Sequence, residues 1–169
     1  MIRQLTPSEV EQYIKDDSVR PHLSAKFRTT SGRQVWGLFE DQYAIEHEPF
    51  DKPSAIICVA FAYEAPTDEQ ELERYSDVKN PNIFGPLIQS NAVFYTVWSY
   101  EPGAGREIVN TLAAHILNTR KEIERWVTLS PLTVMAERFH TKNGAVLHSV
   151  HDTCQVFDYT SRVTSEQEA

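Results

Sequence analysis

Two nearly continuous apolar runs constrain this chain more than any other feature. They are residues 54–63 (SAIICVAFAY) and 91–100 (NAVFYTVWSY). Neither alternates polar with apolar as a half-buried strand would, and both are far shorter than the run of about 18 apolar residues that crosses a bilayer. Both therefore read as central strands covered on both faces, the first bounded by Pro53 and Pro66. A sheet buried twice at its centre needs helices on both sides. A chain of 169 residues is long enough to supply them within one domain.

The remaining elements follow from local pattern. Residues 2–5 are extended, and Thr6-Pro7-Ser8-Glu9 opens a helix carrying Val10, Tyr13 and Ile14 on one face. A second short helix is predicted over 18–25. Strand 34–39 contains Gly37 as a candidate bulge. Residues 65–90 read as an irregular excursion with one short helix and an acidic run, Asp68 to Glu73. From Ala104 to about Glu124, Ile108, Val109, Leu112, Ala113, Ile116 and Leu117 form a helical stripe. A strand at 126–129 follows and should lie parallel to 91–100. Pro131 opens a last helix with Leu132, Met135, Ala136 and Phe139 on one face, closed by Asn143-Gly144. Strands 145–150 and 154–160 complete a domain over 1–160, and 161–169 is a polar, frayed tail. The fold class is α/β, with a mixed, mostly antiparallel sheet flanked by helices on both faces.

Charge and cysteine use narrow the function. Lys plus Arg number 16 and Asp plus Glu 24, a net charge of −8. That balance argues against nucleic acid and anionic membrane as partners. Cys58 and Cys154 sit in apolar stretches and read as buried reduced thiols. The opening MIRQLTPSEVEQ lacks an apolar leader core, so a cytoplasmic protein is expected.

The stretch that carries chemistry is Val97-Trp98-Ser99-Tyr100-Glu101-Pro102-Gly103-Ala104-Gly105-Arg106. A buried strand ends, a glycine turn follows and a long helix begins. Such a turn points free main-chain N–H groups outward, and the helix dipole adds partial positive charge. Arg106 adds a formal charge that can pair with phosphate. A pyrophosphate site is one reading; a plain connecting turn is the other. The turn is not a P-loop, since no Gly-Lys-Ser/Thr follows, and it lacks the third glycine of a dinucleotide fingerprint.

With these motifs the chain resembles the GCN5-related N-acetyltransferases. Tyr100-Glu101-Pro102-Gly103-Ala104-Gly105 keeps the glycines of their Q/R-x-x-G-x-G/A motif without its leading Gln or Arg. Ala136 to Gly144 keeps the spacing of their later A-x-x-x-Y-x-x-x-G motif. The resemblance implies acetyl-CoA as co-substrate, no metal, and an amine acceptor. By resemblance, Val97, Trp98 and Ser99 offer main-chain groups to the pantetheine, with an N–H near Trp98 polarising the thioester. Gly103, Ala104, Gly105 and Arg106 receive the pyrophosphate. Thr133 stands where the pattern often has Asn, and joins the cofactor set. His140 occupies the place of the Tyr that protonates the leaving thiolate; a boundary His at a helix end is the alternative. Glu64, at the end of the first apolar strand, is the candidate base; a solvated strand-end carboxylate is the alternative. Residues 138–148, with Gln155-Val156-Phe157, also resemble small proteins of this fold from short-tailed phages, which would imply an assembly or inhibitor role without catalysis. Monomer and homodimer both stay open.

Other features read as structure. Trp36, Tyr95, Trp98, Trp126 and Phe157 fit a core. His148 and His151, three apart in a strand, should face opposite sides. The acidic run is a solvated face or an attractor of a cationic amine.

Overall fold

The computed structural model describes residues 1–40, 52–77 and 87–168. Its strands form one eight-stranded sheet in the order β1 (Ile2–Gln4), β2 (Arg33–Leu38), β3 (Ala55–Ala62), β4 (Asn91–Ser99), β5 (Arg125–Thr128), β8 (Cys154–Asp158) and β6 (Ser130–Pro131), with β7 (Val146–Val150) paired to β8. Every pairing is antiparallel except β4 with β5, which run parallel in register Asn91↔Arg125 to Phe94↔Thr128. Helix α4 (Ala104–Thr119) makes the crossover between them, as the sequence predicts.

β3 is buried along its whole length. Ile57, Val59 and Phe61 face the layer built by α4 and by α6 (Thr160–Glu168). Ile56, Cys58, Ala60 and Ala62 face the opposite layer, built by α1 (Pro7–Tyr13), α2 (Ala25–Thr29) and α3 (Glu69–Ser76). The stripe on α4 is buried as expected, and its Ile108, Leu112 and Ile116 each contribute about 1.5–3 kcal/mol of apolar burial. Thr6 and Glu9 cap α1 reciprocally. Both cysteines are buried free thiols, and burial pushes Cys58 up to about 11.

The structure corrects several sequence expectations. Residues 17–24 form turns rather than a helix, and α2 starts at Ala25, capped by Ser24. Gly37 pairs regularly with Ile56; a Cβ there would lie 2.9 Å from Phe39, so packing rather than a bulge requires glycine. α4 stops at Thr119. Pro131 lies in β6, so α5 (Val134–Lys142) begins later, and the supposed stripe is split: Leu132 and Met135 face solvent, while Ala136 is half-buried and Phe139 packs against the core. Residues 160–168 are helical rather than frayed, because Val163 enters the core. The segment KNPNIFGP at 79–86 lies outside the described residues, apart from which the acidic run is the start of α3, capped by Asp68.

The bulge is in β4. Register with β3 shifts between Cys58 and Val59, so that Thr96 faces Cys58 and Phe94 faces Val59, leaving Tyr95 as the extra residue. Side-chain parity changes there: Phe94 and Val97 pack on the α4 layer, Tyr95 and Trp98 on the other. A run that is mostly apolar on both faces hides such a change of parity.

Beneath the bulge lies a buried polar cluster from residues 17–28. Asp17 accepts from the N–H groups of Val19 and Arg20, from the Thr96 hydroxyl at 3.0 Å, and from Arg28 at 2.8 Å. The Asp17 and Arg28 side chains are 1% and 0% exposed. Arg28 also donates to the carbonyls of Leu23 and Arg20. Removing one partner of a buried pair strands the other charge. Asp17→Ala should therefore cost about 3–5 kcal/mol of unfolding free energy, and the double variant Asp17→Leu/Arg28→Met should recover much of it. Urea denaturation checks this; a loss below about 1 kcal/mol for the single variant would contradict it.

Candidate functional site

The site begins where two strands part. β4 and β5 pair only as far as Phe94 and Thr128, with one further bond from the Leu129 N–H to the Phe94 carbonyl. β4 continues to Ser99, while the chain after β5 turns aside into β6. At the parting, the buried hydroxyls of Thr128 and Ser130 meet at 2.8 Å, and the Thr128 hydroxyl accepts from the Phe157 N–H. Tyr100 donates its N–H to the Ser54 carbonyl at 2.8 Å. Antiparallel alternation then commits Trp98 and Thr96 to β3 and turns the main-chain groups of Val97 and Ser99 toward the gap. Of the three strand residues singled out, Val97 and Ser99 thus face the gap. Trp98 does not: its main-chain groups belong to the β3 ladder, and its indole donates to the Tyr100 hydroxyl.

The glycine turn closes one end of this gap. Gly103 is the N-cap of α4 with φ of 79°, a left-handed conformation that favours glycine, and a Cβ there would meet open space. No side chain caps the helix. The Ala104 N–H bonds to the Glu101 carbonyl, so Ala104 drops out as a donor, while the N–H groups of Gly105 and Arg106 precede the first intrahelical bond, Glu107 to Gly103. Arg106 is exposed beside them. Gly105 is buried, 3.6 Å from Phe139 and 3.7 Å from Ser99 measured from an added Cβ, so it joins the helix start, the strand edge and α5. These residues fit an elongated ligand that carries a pyrophosphate at one end and amide groups along its length.

The proposed chemical groups fare differently. His140 is 7% exposed and turned into the core, with Nδ1 2.8 Å from the Tyr159 hydroxyl and its ring against Phe139 and Phe157. Burial lowers its pKa to about 4. It is neutral near pH 7, so it does not serve as the imidazolium acid expected from its position. Burial also pushes Tyr159 up to about 12, and Asn143 donates to the same hydroxyl. Glu64 is exposed two residues past the Ala62–Asn91 pair that ends β3, at the opposite end of β4 from the glycine turn. It is not brought to the gap. Thr133 is the N-cap of α5, its hydroxyl accepting from the Ala136 N–H. His148 and His151 do not face opposite ways: the register shift at Leu147/Ser149 lets both rings reach the Ser149 hydroxyl, at 3.2 and 2.8 Å. Among the described residues no group of three or more metal-ligating side chains exists, and no helix is long and apolar enough to cross a membrane.

A cavity of about 500 Å³ opens on the α1–α3 face of the sheet, lined by Val19, Arg20, Asp68, Glu69, Pro131 and Cys154 among others. It lies between the Val19–Arg20 turn and the start of α3 on one side and β6 and the start of β8 on the other. Sequence reasoning missed Asp17, Arg20 and Arg28 because charged side chains in short polar segments ordinarily face water.

No protein-family model matches the chain, and no curated protein matches it. Solved structures match by shape. Malonyl-CoA decarboxylase from Agrobacterium vitis is 18% identical over 82% of this chain and 35% of its own, with a TM-score of 0.59. The chain thus spans about a third of the length of that decarboxylase. AAC(6')-Ib, solved with acetyl-CoA, is 10% identical, covering 100% of this chain and 97% of its own, with a TM-score of 0.65. The GNAT-like decarboxylase GphF, solved with isobutyryl-CoA, is 11% identical over 94% and 97%, with a TM-score of 0.66. The fold is therefore that of the GCN5-related N-acetyltransferases.

The buried His140 has a consequence for pH. In the unfolded chain it takes a proton near pH 6.5, and in the folded protein only near pH 4. The unfolded state binds more protons between those values, so stability is full above 6.5 and is lost as pH falls toward 4, by up to about 3 kcal/mol. His140→Gln should flatten this loss in urea midpoints measured from pH 7 to 4. Equal pH dependence in variant and parent would contradict the burial.

Proposed function

We propose that this chain is a CoA-thioester enzyme that holds its substrate along the free edge of β4 and moves an acetyl group from acetyl-CoA to an amine. The observation that carries the CoA half is the parting of β4 from β5 beside an uncapped α4, which leaves Val97, Ser99, Gly105 and Arg106 around one gap. Val97 and Ser99 would pair with pantetheine amides. Gly105 and Arg106 would hold the pyrophosphate. In the transfer, the amine lone pair attacks the thioester carbon, the C–S bond breaks, CoA leaves as thiolate, and water takes the ammonium proton.

A second reading has its own support. With His140 neutral and buried and Glu64 remote, neither of the two side chains expected from the sequence stands ready to protonate a thiolate or to deprotonate an amine. Decarboxylation of a β-carboxyacyl-CoA needs neither step. The C–C bond to the carboxylate breaks, its electron pair enters the thioester as an enolate, a proton adds at carbon, and the C–S bond stays intact. Two of the three matched folds described above are decarboxylases acting on CoA thioesters by name or bound ligand.

One pair of measurements separates the readings. Calorimetry with CoA should give binding that Arg106→Ala weakens by about 1–3 kcal/mol and Gly105→Val abolishes, since added methyls press on Phe139 and cover the helix start. Mass spectrometry then follows acetyl-CoA with a panel of primary amines, and malonyl-CoA alone. Free CoA with acetylated amine supports transfer; acetyl-CoA formed from malonyl-CoA supports decarboxylation. Absence of CoA binding would overturn both and leave a non-catalytic protein of this fold, in an assembly or inhibitor role.

A further inference from the structure

We propose that Arg20 is the positioning residue of the β4 edge, acting on the site from the opposite face of the sheet. Arg20 is 3% exposed, yet it comes from a turn rather than from the sheet or a helix. Its guanidinium donates to three elements at once. One Nη group bonds to the carbonyl of Tyr95, the extra residue of the bulge. Nε bonds to Glu69 at the start of α3 at 3.0 Å. The other Nη approaches Sγ of Cys154 on β8 at 3.8 Å. The planar fork thus spans from β4 to β8, across the side of the sheet where β4 has lost its β5 partner.

The bulge needs such a clamp. An extra residue breaks the ladder locally and leaves its carbonyl without a strand partner. A buried carbonyl without a donor is unfavourable, and the strand would relieve that by shifting register. A one-residue slip beyond Tyr95 would exchange Val97 and Ser99 for Trp98 as the residues whose main-chain groups face the gap. Arg20 holds the carbonyl, and Asp17 holds the neighbouring Thr96 hydroxyl and the Arg20 N–H. The direction of the free edge is therefore set by the 17–20 turn. Glu69 is in turn shared with His22 at 2.8 Å, so α3 is tied to the same clamp. The cavity of about 500 Å³ opens directly onto Arg20, so the clamp is reachable by a small ion.

The inference rests on the CoA reading for what the edge presents itself to, but its structural half stands alone. The test uses the full chain with Arg20→Ala and Arg20→Lys, read in two ways. Hydrogen exchange at Thr96 and Trp98, whose amides bond to β3, should speed at least tenfold in Arg20→Ala, with β1 and β2 unchanged. Methylguanidinium, entering through the cavity, should restore protection; Arg20→Lys, which lacks the fork, should restore little. In binding, Arg20→Ala should weaken CoA at least tenfold and leave ADP, which carries the pyrophosphate without pantetheine, unchanged. Unaltered exchange at Thr96 and Trp98, or faster exchange spread evenly over the sheet and insensitive to methylguanidinium, would overturn the proposal. Loss of CoA and ADP binding in equal measure would overturn it too. If the parent chain binds neither ligand, the CoA reading fails, and the exchange measurement alone decides the role of Arg20.

Discussion

β4 pairs with β5 for four residues and then runs on with β3 as its one strand partner among the described residues. That departure governs the rest of the molecule. Each main-chain group left without a partner would cost about 1–3 kcal/mol if it were also buried. The gap beside Val97 and Ser99 must therefore stay open to water or to a ligand. α4 starts at the same place with uncapped N–H groups, so one end of the gap favours negative charge while its side offers a strand edge. An extended ligand with amides and a terminal pyrophosphate satisfies both at once.

The opposite face carries the compensation. Asp17, Arg20 and Arg28 form a buried, hydrogen-bonded cluster under the β4 bulge, bringing two guanidinium groups and a carboxylate into a largely apolar layer. Ion pairs so placed seldom raise stability over a well-packed apolar set. Their value here is conformational: they hold a strand in a register that its own apolar side chains do not dictate. α1 and α2 are thereby tied to the site without touching the gap.

The sequence revealed the parts of this fold that depend on composition and periodicity. The runs at 54–63 and 91–100 could only be central strands, and the stripe from Ile108 to Leu117 could only be a buried helix face. The glycine turn was legible because Gly103 needs a left-handed conformation and Gly105 needs room beside Phe139. What stayed hidden depends on direction and on long-range contact. In a strand that is mostly apolar on both faces, no alternation marks a bulge, so Trp98 and its neighbours could not be sorted by facing. His140 keeps the spacing of a catalytic position, but its partner Tyr159 lies nineteen residues further on and draws the ring inward. Glu64 ends a central strand, yet β3 runs antiparallel to β4, which carries that end away from the glycine turn. Val163 enters the core and Thr160 accepts from the Trp126 N–H, which draws the polar C-terminal segment into a helix against the sheet.

The central claim is that the free edge of β4 and the start of α4 form one CoA site. The most direct measurement is a titration of the isotope-labelled protein with CoA, following backbone amide shifts. The account predicts that Val97, Ser99, Gly105 and Arg106 move together along one binding curve, while Thr96 and Trp98, whose amides point to β3, move little. Shifts confined to other surfaces, or a Gly105 response without any at Val97 and Ser99, would contradict it.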